Sequence, residues 1–389
     1  MRARRALISA ALALLIALAA AGYILHLPGV VFEEVSLKLK FQYDYVLKAY
    51  RPRWLSRGEV GSYPTRYSIA GVPWISYNKS YCAATCLQMV AYKYGVREPI
   101  EYFNFIMGFT YGAYLGSFEG EVYFIPGGNP FTGYVNASEA LGFEHHLLVT
   151  NDRELFIDAC RYIVSRDIPV ILPVNMSRLY HLKWFAPHFE LVVGYDEDGF
   201  YIYEPVQPKQ VFELGRQGLK FPTDLVVRAV EDMSKGFNLP WKYSFIYFTR
   251  RGEPVKDLRR FLADNGRLQV GCNITLDGGT FYLGSYAVNA LADYIGKGKV
   301  RPEAMAWSIL LAMTSRKDNA GFLKERFKGD ELVSRAANYL EKASELYREV
   351  YQIIKDGATP EEVGEVVNLL KKASVYEREA GLLMIEAGS

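Results

Sequence analysis

The chain has 389 residues, half of them hydrophobic and 14% aromatic, with a net charge of +2 and four cysteines. That length suggests roughly two or three domains at about 150 residues each, and the apolar content excludes a disordered chain. The near-neutral charge excludes the concentrated basic footprint of a nucleic-acid binder, and the cysteines are too sparse for a disulfide scaffold.

The chain opens "MRARR", three arginines, followed by an uncharged segment from Ala6 to Leu25. About 20 apolar residues suffice to span a bilayer, and cleaved signals usually have shorter apolar runs. The expectation is therefore a single-pass anchor over residues 1–27, although "LAAAGY" could be cut. The basic flank stays in the cytoplasm and the body lies outside. Sequons at Asn78, Asn136, Asn175 and Asn273 agree weakly with an extracellular glycoprotein. Residues 28–70 read as a stalk or extension packed on the next domain.

From residue 71 to 251 the chain alternates. A helix after Cys82 is followed by a Gly-rich aromatic stretch. Then come a helix near "DRELFIDACRYIVSR", a buried strand "IPVILPVN", a hairpin "FELVVGYDEDGFYIYEP" and a strand "YSFIYFTR". That order is mixed α/β or α+β. Residues 265–389 turn helical and read as a separate domain. Gly357 suits a helix C′ position. Thr359, Pro360 and Glu362 form a capping-box start for the last helix. No heptad pattern is sustained enough for a coiled coil.

The segment "SYCAATCLQMVAYKYG" carries Cys82 and Cys86 one helical turn apart. Ser80 as N-cap puts Cys82 at N2 of a helix ending near Gly95. On that helix Ala83, Cys86, Leu87, Val90 and Tyr94 form the apolar stripe. Cys86 then reads as a small core thiol. Cys82 lies off the stripe in the first turn, where free N–H groups and the dipole favour a thiolate. It is a nucleophile candidate, or else a half-buried thiol without chemistry. A Cys82–Cys86 metal pair lacks further ligands, and a disulfide within one helical turn is geometrically poor. No metal or cofactor is expected. Cys160 and Cys272 could pair outside the cell.

A nucleophile needs a base. Of His26, His145, His146, His181 and His188, only His188 stands at the mouth of a hairpin with an acid, Glu204, on its return strand. The turn "DEDG" suits a three-residue loop with Gly199 left-handed, pairing Asp196 with Phe200. In that register His188 and Glu204 share a face. They lie on the order of 13 Å apart at about 3.4 Å per residue, so twist or a bulge must close the gap. Glu204 could equally be a solvated strand-end carboxylate.

An early Cys at a helix start, "H-F-x-x-V-V-G-Y" from His188, and an acid before Pro205 resemble the papain-like cysteine fold. The match is especially similar to double-glycine leader peptidase-like proteins. It is closer still to the N-terminal domain of the butirosin-biosynthesis acyltransferase family. Cys82-Ala-Ala-Thr85, "MGFTYGAYLG", "VNMSRLYHL" and the segment from Arg316 to Leu323 carry that likeness. The resemblance implies a papain-like α+β domain over residues 71–251. It implies Cys82 as nucleophile, His188 as general base and Glu204 as the third member. Ala83-Ala84 stand where leader peptidases carry Gly-Pro, and Ser76 stands where they carry an oxyanion Gln. Asn78 or the Cys82 backbone N–H would then serve the oxyanion. The expected function is an extracytoplasmic, membrane-anchored cysteine peptidase, amidase or acyltransferase acting on a peptide or acyl substrate. The alternatives are a non-catalytic papain-like module that binds a peptide or glycan, and a structural surface component.

Overall fold

The computed structural model describes residues 49–118, 121–183, 185–206, 218–237, 239–276 and 279–389. The proposed anchor, His26 and the first part of the expected stalk lie outside these residues. Among the described residues no helix is long and apolar enough to cross a membrane.

Strands β1 (Pro52–Trp54) and β2 (Tyr67–Ser68) belong to the extension, and both join the main sheet. Then follow α1 (Cys82–Lys93), α2 (Ile100–Met107), the hairpin β3 (Ala113–Phe118) and β4 (Glu121–Pro126), and α3 (Pro130–Leu141). β5 (Phe143–Thr150), α4 (Arg153–Ser165), β6 (Val170–Asn175), α5 (Met176–Tyr180), β7 (Pro187–Tyr195) and β8 (Gly199–Tyr203) come next. β9 (Leu219–Pro222), α6 (Thr223–Gly236), β10 (Tyr243–Arg250) and α7 (Arg259–Val270) lead to a second hairpin, β11 (Asn273–Leu276) and β12 (Gly279–Leu283). The remainder is helical: α8 (Ser285–Gly296), α9 (Ala306–Arg326), α10 (Glu331–Ile354) and α11 (Pro360–Gly388).

The large sheet runs β1-β5-β10-β6-β7-β8-β9, with β2 beside β7. It is antiparallel except at β1–β5. β6 is buried along its whole length, which fits its near-continuous apolar run. Asp152 caps α4 by accepting from Leu155 N–H. Thr359 and Glu362 form the expected capping box on α11.

The Gly-rich aromatic stretch does more than loop. β3 and β4 pair, and β12 adds to β3, so a hairpin within residues 71–251 and a hairpin beyond them build one four-stranded sheet, β11-β12-β3-β4. Gly112 has φ +73, and a Cβ there would meet Leu268 O at 2.5 Å, so the close approach to α7 demands glycine. The main core joins the large sheet and α1 to Ala320, Leu323, Ala337, Leu340 and Met384 of the terminal helices. The helical segment is thus packed into the α+β body.

Two expectations need correction. Tyr81, not Ser80, is the N-cap of α1, which places Cys82 at N1. Tyr81 N–H donates to Lys79 O, closing a turn just before the helix. Nor is α1 amphipathic: every residue from Ala83 to Val90 is at most 1% exposed, including Thr85 and Gln88. A helix enclosed on all sides shows no stripe.

Candidate active site

Cys82 is half-buried at the first position of α1, and the rest of that helix runs inward. The first N–H groups of a helix have no intrahelical acceptor, so the thiol stands beside free donors. Its approach segment is held from two sides. Lys79 Nζ lies 2.5 Å from Asp318 Oδ2 and Tyr81 Oη donates to the same oxygen at 2.7 Å, tying the turn to α9. Tyr134 Oη of α3 donates to Ala83 O at 3.0 Å.

His188 is the second residue of β7 and is 5% exposed. Its Nε2 lies 3.0 Å from Glu204 Oε1. The Cys82 sulfur is near enough to the same ring to favour its charged form. With Nε2 taken by Glu204, Nδ1 is the nitrogen left for the thiol. Burial works against an imidazolium here, but the Glu204 carboxylate and the Cys82 sulfur together raise the His188 pKa well above its usual value. Glu204 is fully buried, and burial alone would push its carboxyl up. His188 and the Val206 N–H, which donates at 2.7 Å, outweigh that and hold it below the usual carboxylate range. Trp74 Nε1 donates to Glu204 O at 2.9 Å, so the loop before α1 fixes the acid's backbone.

The gap foreseen between His188 and Glu204 is closed by register. Tyr195, not Asp196, pairs with Phe200, and a bulge lies between Val192 and Gly194. Asp196 Oδ1 accepts from Asp198 N–H and Gly199 N–H, both at 3.0 Å, which closes the turn without a left-handed Gly199. Each change slides the return strand toward the mouth. Leu191 then pairs with Tyr203, so one step further out Glu204 stands beside Glu190, two residues from His188.

Glu190 is the residue that the sequence reading missed. It alternates onto the same face as His188 and is fully buried. Neither of its oxygens has a hydrogen-bond partner, nor has Glu204 Oε2. The nearest ligand-type atoms of His188, Glu190 and Glu204 lie within 4.8 Å of one another. This is the described cluster closest to a cation-binding set, yet its histidine nitrogen and one carboxylate oxygen already bond each other. Tyr180, at the end of α5, puts its hydroxyl beside both carboxylates.

The other sequence candidates are placed as follows. Asn78 is exposed on the loop before α1. Ser76 encloses a hydroxyl without a partner. Cys86 is fully buried and donates to Phe189 O at 3.5 Å. Cys160 is buried and Cys272 exposed, and both are free thiols, so the considered pairing is absent. Asn175 uses its side chain to accept from Ser177 and Ala186 N–H, which leaves that sequon engaged in the fold. A cavity of about 470 Å³ lined by Val96, Glu98, Tyr102, Glu253 and Arg326 lies past the other end of α1, away from Cys82.

No family model matches the chain. No curated protein matches it either. Among solved structures, one described as a C39-like peptidase from Bacillus anthracis aligns over 48% of this chain and 98% of that one, at 16% identity and a TM-score of 0.33. A likeness at that score decides neither fold family nor chemistry.

Proposed function

We propose that the protein is a papain-like, thiol-dependent acyl-transfer enzyme with Cys82 as nucleophile, His188 as general base and Glu204 as the acid that orients the base. One observation carries this reading: a buried histidine has one ring nitrogen held 3.0 Å from a buried carboxylate, and a cysteine at a helix head is near enough to raise the pKa of that ring. Cys82 Sγ would attack the carbonyl carbon of an amide or thioester while its proton passes to His188. The Cys82 N–H and the Asn78 amide would receive the negative charge on the carbonyl oxygen. His188 would then protonate the leaving amine or thiol. Water clears the acyl-enzyme in a peptidase or amidase, and an amine clears it in an acyltransferase. The apolar segment after "MRARR" supports a single-pass anchor that places this chemistry outside the membrane.

The test is alkylation of the full chain with iodoacetamide at pH 6, read by peptide mass. Cys82 should label faster than Cys272, an exposed free thiol outside the site. His188→Ala should remove that advantage. Equal rates at the two cysteines would sink the reading and leave the binding module in its place.

A further inference from the structure

Glu190 poses a question that the Cys–His–Glu arrangement does not answer. A fully buried carboxyl with two unpartnered oxygens is costly. Three groups surround it closely: Glu204 across the ladder end, His188 two residues away on its own strand, and Tyr180 from α5. Cys82 and Cys86 of α1 complete the titratable groups that face it. Two carboxyls enclosed in one site do not both ionise, so one keeps a proton. Glu204 already accepts from His188 Nε2 and Val206 N–H, and it is the one held ionised. Glu190 has no such donors, so the proton belongs there.

A protonated carboxyl is a donor, and the free Oε2 of Glu204 is the nearby buried acceptor that needs one. We propose that Glu190, in its acid form, is a fourth and positioning member of the site, donating a hydrogen bond to Glu204 Oε2 and thereby locking that carboxylate onto His188 Nε2. The buried Tyr180 hydroxyl, itself without a hydrogen-bond partner, is the further donor that this arrangement leaves facing the two carboxyls. Burial and the Glu204 charge raise the Glu190 carboxyl to about 8, consistent with this assignment. The proposal deepens the thiol-enzyme reading and rests on it for its kinetic consequence alone.

Two variants of the full chain test it. Glu190→Gln keeps a donor of similar shape, and Glu190→Leu removes it while filling the space. With iodoacetamide as probe, Glu190→Leu should label at Cys82 about tenfold to a hundredfold more slowly at pH 7, the range of one hydrogen bond to a charged group. Glu190→Gln should label like the natural protein at pH 7. As pH rises through about 8 the natural protein should lose reactivity relative to Glu190→Gln, because only the former gains a second buried negative charge.

The stability readout is independent of cysteine chemistry. The Glu190 pKa is raised on folding, so its stability contribution is present below the unfolded carboxyl value. It is lost as pH rises through the folded value. Between about pH 4.5 and 8 the natural protein should therefore lose melting temperature relative to Glu190→Gln. Parallel melting curves across that window would overturn the acid assignment even if Cys82 proved to be the nucleophile. A failure of selective Cys82 labelling with diverging melting curves would overturn the enzyme reading and keep the carboxyl pair. Zinc ions that raise the melting temperature of the natural protein but not of Glu190→Gln would put a metal where the proton is proposed, and would also overturn it.

Discussion

Two enclosed carboxylates, Glu377 and Glu190, sit in opposite conditions. Glu377 accepts from Arg316 Nε at 2.7 Å and Nη2 at 3.0 Å, from Tyr347 Oη at 2.6 Å and from Gln269 Nε2 at 2.7 Å. Arg316 spends its other donors on Thr110 O at 3.0 Å and Gly112 O at 2.6 Å. Gln269 Oε1 in turn accepts from Gly112 N–H at 2.9 Å. Every charge in that cluster is answered, and it binds the Gly-rich strand to α7, α9, α10 and α11. Glu190 is buried as deeply, yet its oxygens have no partner. Completed networks hold a fold together. An unanswered buried group beside the proposed site costs free energy that the rest of the fold must offset, the kind of local rule-breaking expected where chemistry is done.

The largest expected effect tests the incomplete cluster. Cys82→Ser and His188→Ala should each lower turnover on an acyl substrate by on the order of 10⁴-fold or more. For Cys82→Ser the melting temperature should stay close to that of the natural protein, because Cys82 is half-buried at a helix head, whereas His188→Ala leaves the buried Glu204 carboxylate without its partner and should lower it. Measuring rate and melting together checks the comparison: activity loss accompanied by unfolding in Cys82→Ser would make the site structural. The complete cluster should answer in the reverse way. Glu377→Ala strands a buried guanidinium and should cost about 3–5 kcal/mol in denaturant unfolding. The double change Arg316→Met with Glu377→Leu should recover most of that, since a buried pair exchanged for apolar volume is often near neutral.

These two clusters were not equally visible in the sequence. Local signals were reliable: Thr359-Pro360-x-Glu362 gave a real capping box, "YSFIYFTR" became β10, and "IPVILPVN" became β6. Cys82, His188 and Glu204 could be chosen because residue type and position at element ends carry chemistry. Their meeting could not be measured, because it depends on a bulge after Val192 and on a turn that Asp196 closes. Glu190 was open to recognition, since alternation already placed it on the face of His188. It was overlooked because a polar residue in "FELVV" reads as one defect in an apolar run. Arg316 and Glu377 were hidden for another reason: 61 residues separate them, and charged residues on helices usually mark solvated faces.

His145 allows a smaller and sharper comparison with His188. Both rings are enclosed, but His145 packs on Phe248 and neither of its nitrogens has a partner. Burial first, then the charges of His146 and Arg51, push its pKa down to about 3. A base whose pKa falls on folding gives stability that is present above its unfolded value, near 6.5, and is lost as pH falls toward the folded one. Relative to His145→Phe, the natural protein should lose about 2 kcal/mol between pH 6.5 and 5, at 1.36 kcal/mol per unit. Unfolding midpoints of the two proteins at both pH values measure it. Equal losses would mean that His145 already carries its proton in the fold.

The smallest effect concerns the other cysteine of the opening segment. Cys86 is fully buried on α1, and its thiol donates to Phe189 O at 3.5 Å, one residue from His188. Burial raises its pKa well above the usual thiol value, so it holds no reactive thiolate. Cys86→Ala removes one sulfur from a packed region and should cost about 1 kcal/mol, at the low end of cavity-forming changes. The weak S–H bond to β7 contributes little to that figure, because the helix and strand also meet through the core. Selective Cys82 alkylation should survive the substitution unchanged. If alkylation slowed markedly while unfolding stayed within that small cost, the packing of α1 on β7 would be setting the geometry of His188. The division between a completed structural cluster and an incomplete chemical one would then have to be drawn through α1 itself.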